Sequence, residues 1–188
     1  MLEEIKQKIE NYYNSGNDIE FFTKNLEKGH TRNAKATSSI QSYLSGKSFQ
    51  DIDVPLRFLI FANLDCTDCA IAVPVFKGLF DKMQNWKYSL VLGSQLGEDM
   101  ENFFKVGPKK IYPQILVFNE NFDYITRWVD KPQKAKEKLL EITKMNLDPD
   151  AKKQKIISTA ELNPENMAVD IADELILLLK KYKYYLKN

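Results

Sequence analysis

The reading of the chain turns on one stretch, Pro55-Leu56-Arg57-Phe58-Leu59-Ile60-Phe61-Ala62-Asn63-Leu64-Asp65-Cys66-Thr67-Asp68-Cys69-Ala70-Ile71. Its first part is a nearly continuous apolar run, which suits a strand buried on both faces of a sheet. The short loop Asn63-Leu64-Asp65 then leads into two cysteines spaced three apart. Beyond them Ala70, Ile71, Val73, Phe76, Leu79, Phe80 and Met83 recur at helical spacing. Buried strand, short loop, CxxC and apolar helix therefore follow one another directly.

Downstream, Tyr88 to Leu92 reads as a second strand and Glu98 to Phe104 as a short helix stopped by Gly107-Pro108. Pro113 to Phe118 is a third strand, Asn119-Glu120-Asn121 a tight turn, and Phe122 to Val129 a fourth strand pairing back antiparallel. Lys134 to Met145 has the pattern of a helix. The order is βαβαββα, which predicts a right-handed parallel crossover followed by a hairpin.

Upstream the chain reads as helical. Leu2, Ile5, Ile9 and Tyr12 or Tyr13 lie at helical spacing, and Gly16-Asn17-Asp18 breaks the pattern. Asp18 can cap a second helix carrying Ile19, Phe22 and Leu26, which Gly29 ends, and a third runs from about Arg32 to Leu44. The segment after residue 147 closes with a strong helix. Asn163 caps it, Pro164 takes its first position, and Met167, Ile171, Leu175, Leu178 and Tyr182 form its apolar face. Three regions follow: an N-terminal helical extension packed on the core (1–53), the core (54–146) and a C-terminal helical extension (147–188).

Composition narrows the function classes. The chain has 188 residues, 44% of them hydrophobic, enough for a core without disulfide staples. A formal net charge of +1 gives no field that would favour nucleic acid or an anionic membrane as partner. The first ten residues, MLEEIKQKIE, lack the basic and then apolar pattern of a signal peptide, and no apolar run approaches a membrane span of about 20 residues. A cytoplasmic protein is expected. In that reducing setting a structural disulfide is disfavoured. With two cysteines and one histidine, His30, a four-ligand zinc site is incomplete. A lone CxxC reads as redox more than as metal, so neither metal nor tightly bound cofactor is expected.

At this point the core resembles thioredoxin. Cys66-Thr67-Asp68-Cys69 lies between a buried strand and a helix, Pro74 follows the second cysteine by five residues, and Ile111-Tyr112-Pro113 opens the third strand. In the superfamily these places hold the redox dithiol, a helix-kinking proline and a cis-proline facing the dithiol. The resemblance covers about half the chain. It implies an α/β fold, a three-layer α/β/α sandwich with a mixed sheet, here with added helices at both ends. It also implies a thiol–disulfide oxidoreductase. Cys66, near a helix N-terminus where N–H groups and the dipole favour a thiolate, would attack a substrate disulfide. Cys69, one turn on and more buried, would resolve the mixed disulfide. Asp65, Thr67, Asp68, Tyr112 and Pro113 would meet the substrate, a protein or small-molecule disulfide, the Tyr112 backbone pairing with an extended strand. Another redox protein or a low-molecular-weight thiol would be the reductant.

Three departures bear on this. Asp65 replaces the family's usual Trp, Thr67-Asp68 its Gly-Pro, and Ile60 the buried Asp six residues before the first cysteine. Asp65 and Asp68 should raise the Cys66 pKa by like-charge repulsion, which favours a reductant or isomerase over an oxidase. The same departures support the rival reading, a non-catalytic binding module whose groove holds a partner. A glutathione-transferase-like enzyme ranks lower, since the C-terminal segment is too short for its helical domain. Pro74 reads as structural, His30 as a surface turn residue and Lys109-Lys110 as a solvated pair. The basic and aromatic run from Lys180 to Lys187 reads as one end of a half-packed helix.

Overall fold

Strand β1 (Leu56–Ala62) is apolar on both sides because it serves two cores at once. Phe58, Ile60 and Ala62 join one cluster of buried side chains, while Leu59 and Phe61 join another. This is the period-2 alternation of a strand with both faces covered. The structure is a computed structural model and describes residues 2–49, 51–52, 54–98, 105–106 and 109–186.

β1 pairs in parallel with β2 (Trp86–Leu92). Between β2 and the next long strand, β3 (Lys105–Val106) and β4 (Lys109–Lys110) form a small antiparallel pair. β5 (Gln114–Phe118) then runs antiparallel to β1, and β6 (Tyr124–Val129) antiparallel to β5. The main sheet has the order β2-β1-β5-β6. In β5 the same alternation recurs: Ile115 and Val117 face the first cluster, Leu116 and Phe118 the second. The strands were expected at 88–92, 113–118 and 122–129, so the differences are a residue or two at their ends. The helix expected over Glu98–Phe104 and its Gly107-Pro108 stop lie, apart from Glu98, outside the described residues.

Helix α1 (Leu2–Ser15) covers the second face, with Ile9 buried and Ile5, Tyr12 and Tyr13 packed beside it. The first face carries α4 (Cys69–Phe80), the helix that follows the dithiol loop, and α5 (Gln133–Lys144). The N-terminal extension is therefore split between the two faces. The break at Gly16-Asn17 makes the crossing along the edge of the sheet. Asn17 exchanges backbone hydrogen bonds with Leu90 of β2 at 2.7 and 2.9 Å. Gly16 has no room for a side chain there, since a Cβ would lie 2.1 Å from Ser89 Oγ. This contact also pairs part of an edge strand that would otherwise be open.

Helices α2 (Ile19–Asn25) and α3 (His30–Leu44) follow. Asp18 caps α2, its carboxylate accepting the Phe21 N–H at 2.6 Å. His30 is the first residue of α3 and not part of a turn. After α5 come α6 (Pro149–Ser158) and α7 (Pro164–Leu186). Asn163 Oδ1 accepts the Asn166 N–H at 2.9 Å, closing the first turn of α7. α3 and α7 pack on α4 and on each other. The buried stripe of α7 runs through Met167, Ile171, Leu175 and Ile176 to Leu179, with Leu178 partly buried beside it.

Candidate active site

Cys66 and Cys69 sit where β1 gives way to α4. The turn holds its shape by its own hydrogen bonds: Cys66 N–H donates to Asn63 O at 3.1 Å, and Ala70 N–H to Cys66 O at 3.1 Å. α4 begins at Cys69, so Cys66 lies one turn ahead of the helix and faces its open N–H groups. The Cys66 sulfur accepts the Cys69 backbone N–H at 3.2 Å. Both cysteines are free thiols, Cys66 half-buried and Cys69 fully buried.

The two thiols are polarised in opposite directions. The Cys66 pKa lies below the ordinary thiol value, chiefly because the Cys69 thiol hydrogen-bonds to its sulfur. Burial pushes Cys69 well above that value, and the neighbouring Cys66 pushes it further the same way. Asp68 does raise Cys66, as like charge requires, but this is outweighed. The flanking aspartate acts in the direction read from the sequence, and the hydrogen bond from Cys69 is what brings the balance below the ordinary thiol value.

The Tyr112–Pro113 peptide bond is cis and lies beside the dithiol. Tyr112 O is 3.7 Å from Cys66 Sγ. Gln114 Nε2, fully buried, donates to Ile111 O at 2.8 Å and fixes the entry to β5. Asn63, Leu64, Asp65, Gly93, Lys110 and Tyr112 line a groove of about 400 Å³ here. Its floor is tight at Gly93, whose N–H donates to Asn63 Oδ1 at 3.0 Å. A Cβ at Gly93 would come within 2.5 Å of both Asn63 Oδ1 and the Tyr112 hydroxyl. The exposed pair Lys109-Lys110 forms β4. Among the described residues, no group of three His, Cys, Asp or Glu side chains comes together in a way that could hold a metal ion.

The α2–α3 connection lies across the CxxC turn. Glu27 and Lys28 donate backbone hydrogen bonds to Leu64 O at 2.9 and 3.3 Å, and Lys28 Nζ is 3.9 Å from Asp65. Gly29, at φ +86°, would place a Cβ 2.7 Å from the Ala70 Cβ. Gly29→Ala should therefore lower stability by more than the ~1–2 kcal/mol of a left-handed conformation alone. It should also loosen the dithiol turn, so that Cys66 alkylates with altered kinetics. Thermal unfolding and the alkylation rate check this, and an unchanged melting temperature would contradict it.

Charged side chains from separate segments also meet at the turn. Asp68 is paired with Lys131 at 2.7 Å, and Arg32 of α3 is 3.8 Å from the same carboxylate. Lys131 is paired in turn with Asp130 at 2.9 Å. Neither Lys131 nor Arg32 stands in any motif, and only tertiary packing brings them to the CxxC. Ile60, which stands where the family's buried carboxylate would lie, is fully buried in the apolar cluster.

Comparison with known proteins agrees with this geometry. Residues 16–155 match the thioredoxin family. Two solved structures are similar over nearly their whole lengths. One is an HIV epitope scaffold, with a TM-score of 0.57 at 16% identity, covering 91% of this chain and 96% of that one. The other is a protein of unknown function from Pseudomonas aeruginosa, with a TM-score of 0.56 at 16% identity, covering 93% and 94%. Such identities carry the likeness of fold alone. Among curated proteins, none matches the sequence significantly. The family match begins in the N-terminal helices and ends within α6, so it extends beyond residues 54–146 in both directions and leaves α7 outside.

Proposed function

Because the chain belongs to the thioredoxin family, we propose that it is a thiol–disulfide oxidoreductase working through Cys66 and Cys69. The family and the close cysteine pair fit a redox role; the observation that carries the finer reading is the asymmetry of the two thiols. Cys66 is partly open, its sulfur accepts the Cys69 N–H at 3.2 Å, and its pKa is lowered. Cys69 is fully buried and held protonated.

In the proposed cycle the Cys66 thiolate attacks one sulfur of a substrate disulfide. The substrate S–S bond breaks, a Cys66–substrate disulfide forms, and the departing thiolate takes up a proton. Cys69 then loses its proton and attacks the Cys66 sulfur, closing the Cys66–Cys69 disulfide and releasing the second substrate thiol. Two electrons have passed to the substrate. A redox protein or a low-molecular-weight thiol returns them. In this reading the substrate meets Asp65 and Tyr112, which line the groove, and Thr67, Asp68 and Pro113 beside the two cysteines. The proposed substrate is a protein or small-molecule disulfide, and the proposed setting is the cytoplasm, where free thiols persist. For the described residues, no helix is long and apolar enough to cross a membrane.

A non-catalytic module that holds a partner in the same groove is the second reading, and the apolar Ile60 favours it. Equilibration with defined dithiol buffers, followed by mass-tagging of free thiols, separates the two. A reversible two-electron transition between about −270 and −200 mV is expected for a cytoplasmic reductant. If no disulfide forms at any poise, the oxidoreductase reading fails and the binding module stands.

A further inference from the structure

We propose that Lys131 is a positioning residue for the dithiol: by neutralising Asp68 across the mouth of α4, it sets how much negative charge the Cys66 thiolate meets. This inference rests on the redox reading above. Asp68 immediately precedes Cys69, and its carboxylate acts electrostatically on both thiols. An uncompensated carboxylate at that place would oppose the thiolate on which the chemistry depends. Lys131 Nζ meets Asp68 Oδ2 at 2.7 Å, with both side chains about four-fifths buried, at 22% and 21% exposed. Water therefore screens the pair less than it would a surface pair. Lys131 stays a cation there: burial works against its charge, but Asp68 and Asp130 together raise its pKa overall.

The ammonium group is placed by a loop tied at three points. Asp130, the residue between β6 and Lys131, adopts a left-handed conformation, φ +75°, which turns the chain there. Asp130 N–H donates to Pro113 O at 2.8 Å, linking the loop to the cis-proline segment. On the other side Glu174 of α7 accepts the Gln133 N–H at 2.5 Å and the Trp128 Nε1–H at 2.7 Å. The C-terminal helix thus reaches the dithiol through Lys131. Among the described residues, Arg32 from α3 lies 3.8 Å from Asp68, Asp130 from the loop pairs with Lys131, and the exposed Lys28 and Asp65 pair with each other at the CxxC turn. Arg32 stands farther from the carboxylate than Lys131 does, so the burden of neutralisation falls on Lys131.

The test is thiolate titration of the reduced, full-length protein, by 240 nm absorbance and by the rate of Cys66 alkylation with iodoacetamide as a function of pH. Lys131→Met exposes the thiolate to the Asp68 charge, so the titration moves to higher pH and alkylation near neutrality slows, by about three- to tenfold. Asp68→Asn removes the opposing charge, so the titration moves to lower pH and alkylation quickens. The double variant returns close to wild type, and Lys131→Arg leaves the titration in place. A purely structural role would lower the unfolding midpoint in both single variants without opposed titration shifts. Shifts of the same sign, or none, overturn the proposal. Asp68→Asn, being isosteric, keeps the test open if Lys131→Met does not fold. The titration needs no turnover. A Cys66–Cys69 pair that never forms a disulfide would defeat the redox reading, while opposed shifts would still uphold the placement of Lys131.

Discussion

Cys66→Ser is expected to abolish disulfide reduction, while Cys69→Ser is expected to accumulate a covalent complex with substrate. Cys66 is the sulfur that is partly open and shares space with the cis-proline loop, 3.7 Å from Tyr112 O. Its removal leaves only Cys69, which is fully buried and held protonated by that burial. Residual turnover should fall to the level of free thiol in solution. With Cys69 gone, Cys66 still attacks, but nothing resolves the mixed disulfide, and a species of added mass appears on non-reducing analysis. The wild-type pH profile follows from the same asymmetry. A thiol whose pKa is lowered is ionised, and so reactive, above that lowered value. Alkylation of Cys66 should therefore be half-maximal below the ordinary thiol value of 9.0. Cys69 should react only above it and slowly. Differential alkylation read by mass spectrometry checks both statements, and preferential labelling of Cys69 would reverse the assignment.

Phe58→Ala should cost the fold most of its margin. Phe58 is fully buried at the middle of β1, opposite Tyr88 on one side and Val117 on the other. Its ring lies 4.7 Å from that of Trp86 and 5.0 Å from that of Phe80. Truncating a phenylalanine in such a core costs ~3–5 kcal/mol, against a total stability of ~5–15 kcal/mol for a typical domain. For a chain of this length the unfolding temperature falls by ~2–4 °C per kcal/mol. Urea unfolding should show a lower midpoint with an unchanged slope. A loss under ~1 kcal/mol would mean that the aromatic cluster repacks into the space.

Much of the core is legible in the sequence because its signals are local. The apolar run 56–62, the CxxC and the following apolar helix are contiguous, and Asn119-Glu120-Asn121 marks the β5–β6 turn. The groups that balance the dithiol's aspartates are not legible in this way. Asp68 stands inside the CxxC, but its partners Arg32 and Lys131, and Glu174 behind them, come from three other segments, and each of those three alone looks like a solvated residue. The largest cause of the Cys66 shift escapes the sequence for a related reason. Neighbouring carboxylates can be read from the chain, but a hydrogen bond between two sulfurs needs coordinates. Helix α6 has no counterpart in the sequence reading, although Asp148, which accepts two backbone N–H groups at 2.9 and 3.0 Å, and Pro149 announce its start. It buries no residue fully, so its apolar period is weak.

The clasp between α3 and α7 also sets an order of events during synthesis. Ser39 Oγ donates to Glu165 O at 3.0 Å across 126 positions, and the Tyr43 hydroxyl meets Asp173 across 130. A ribosome therefore releases β1, the dithiol and the whole main sheet before the last helix exists to close over them. Until α7 arrives, the flanks of α3 and α4 that it covers stand open to water. Contacts so distant in the chain form slowly, and the waiting apolar surface is available to other nascent chains. A polypeptide interrupted before residue 164 would carry both cysteines and the cis-proline, yet depend on a chaperone to stay in solution.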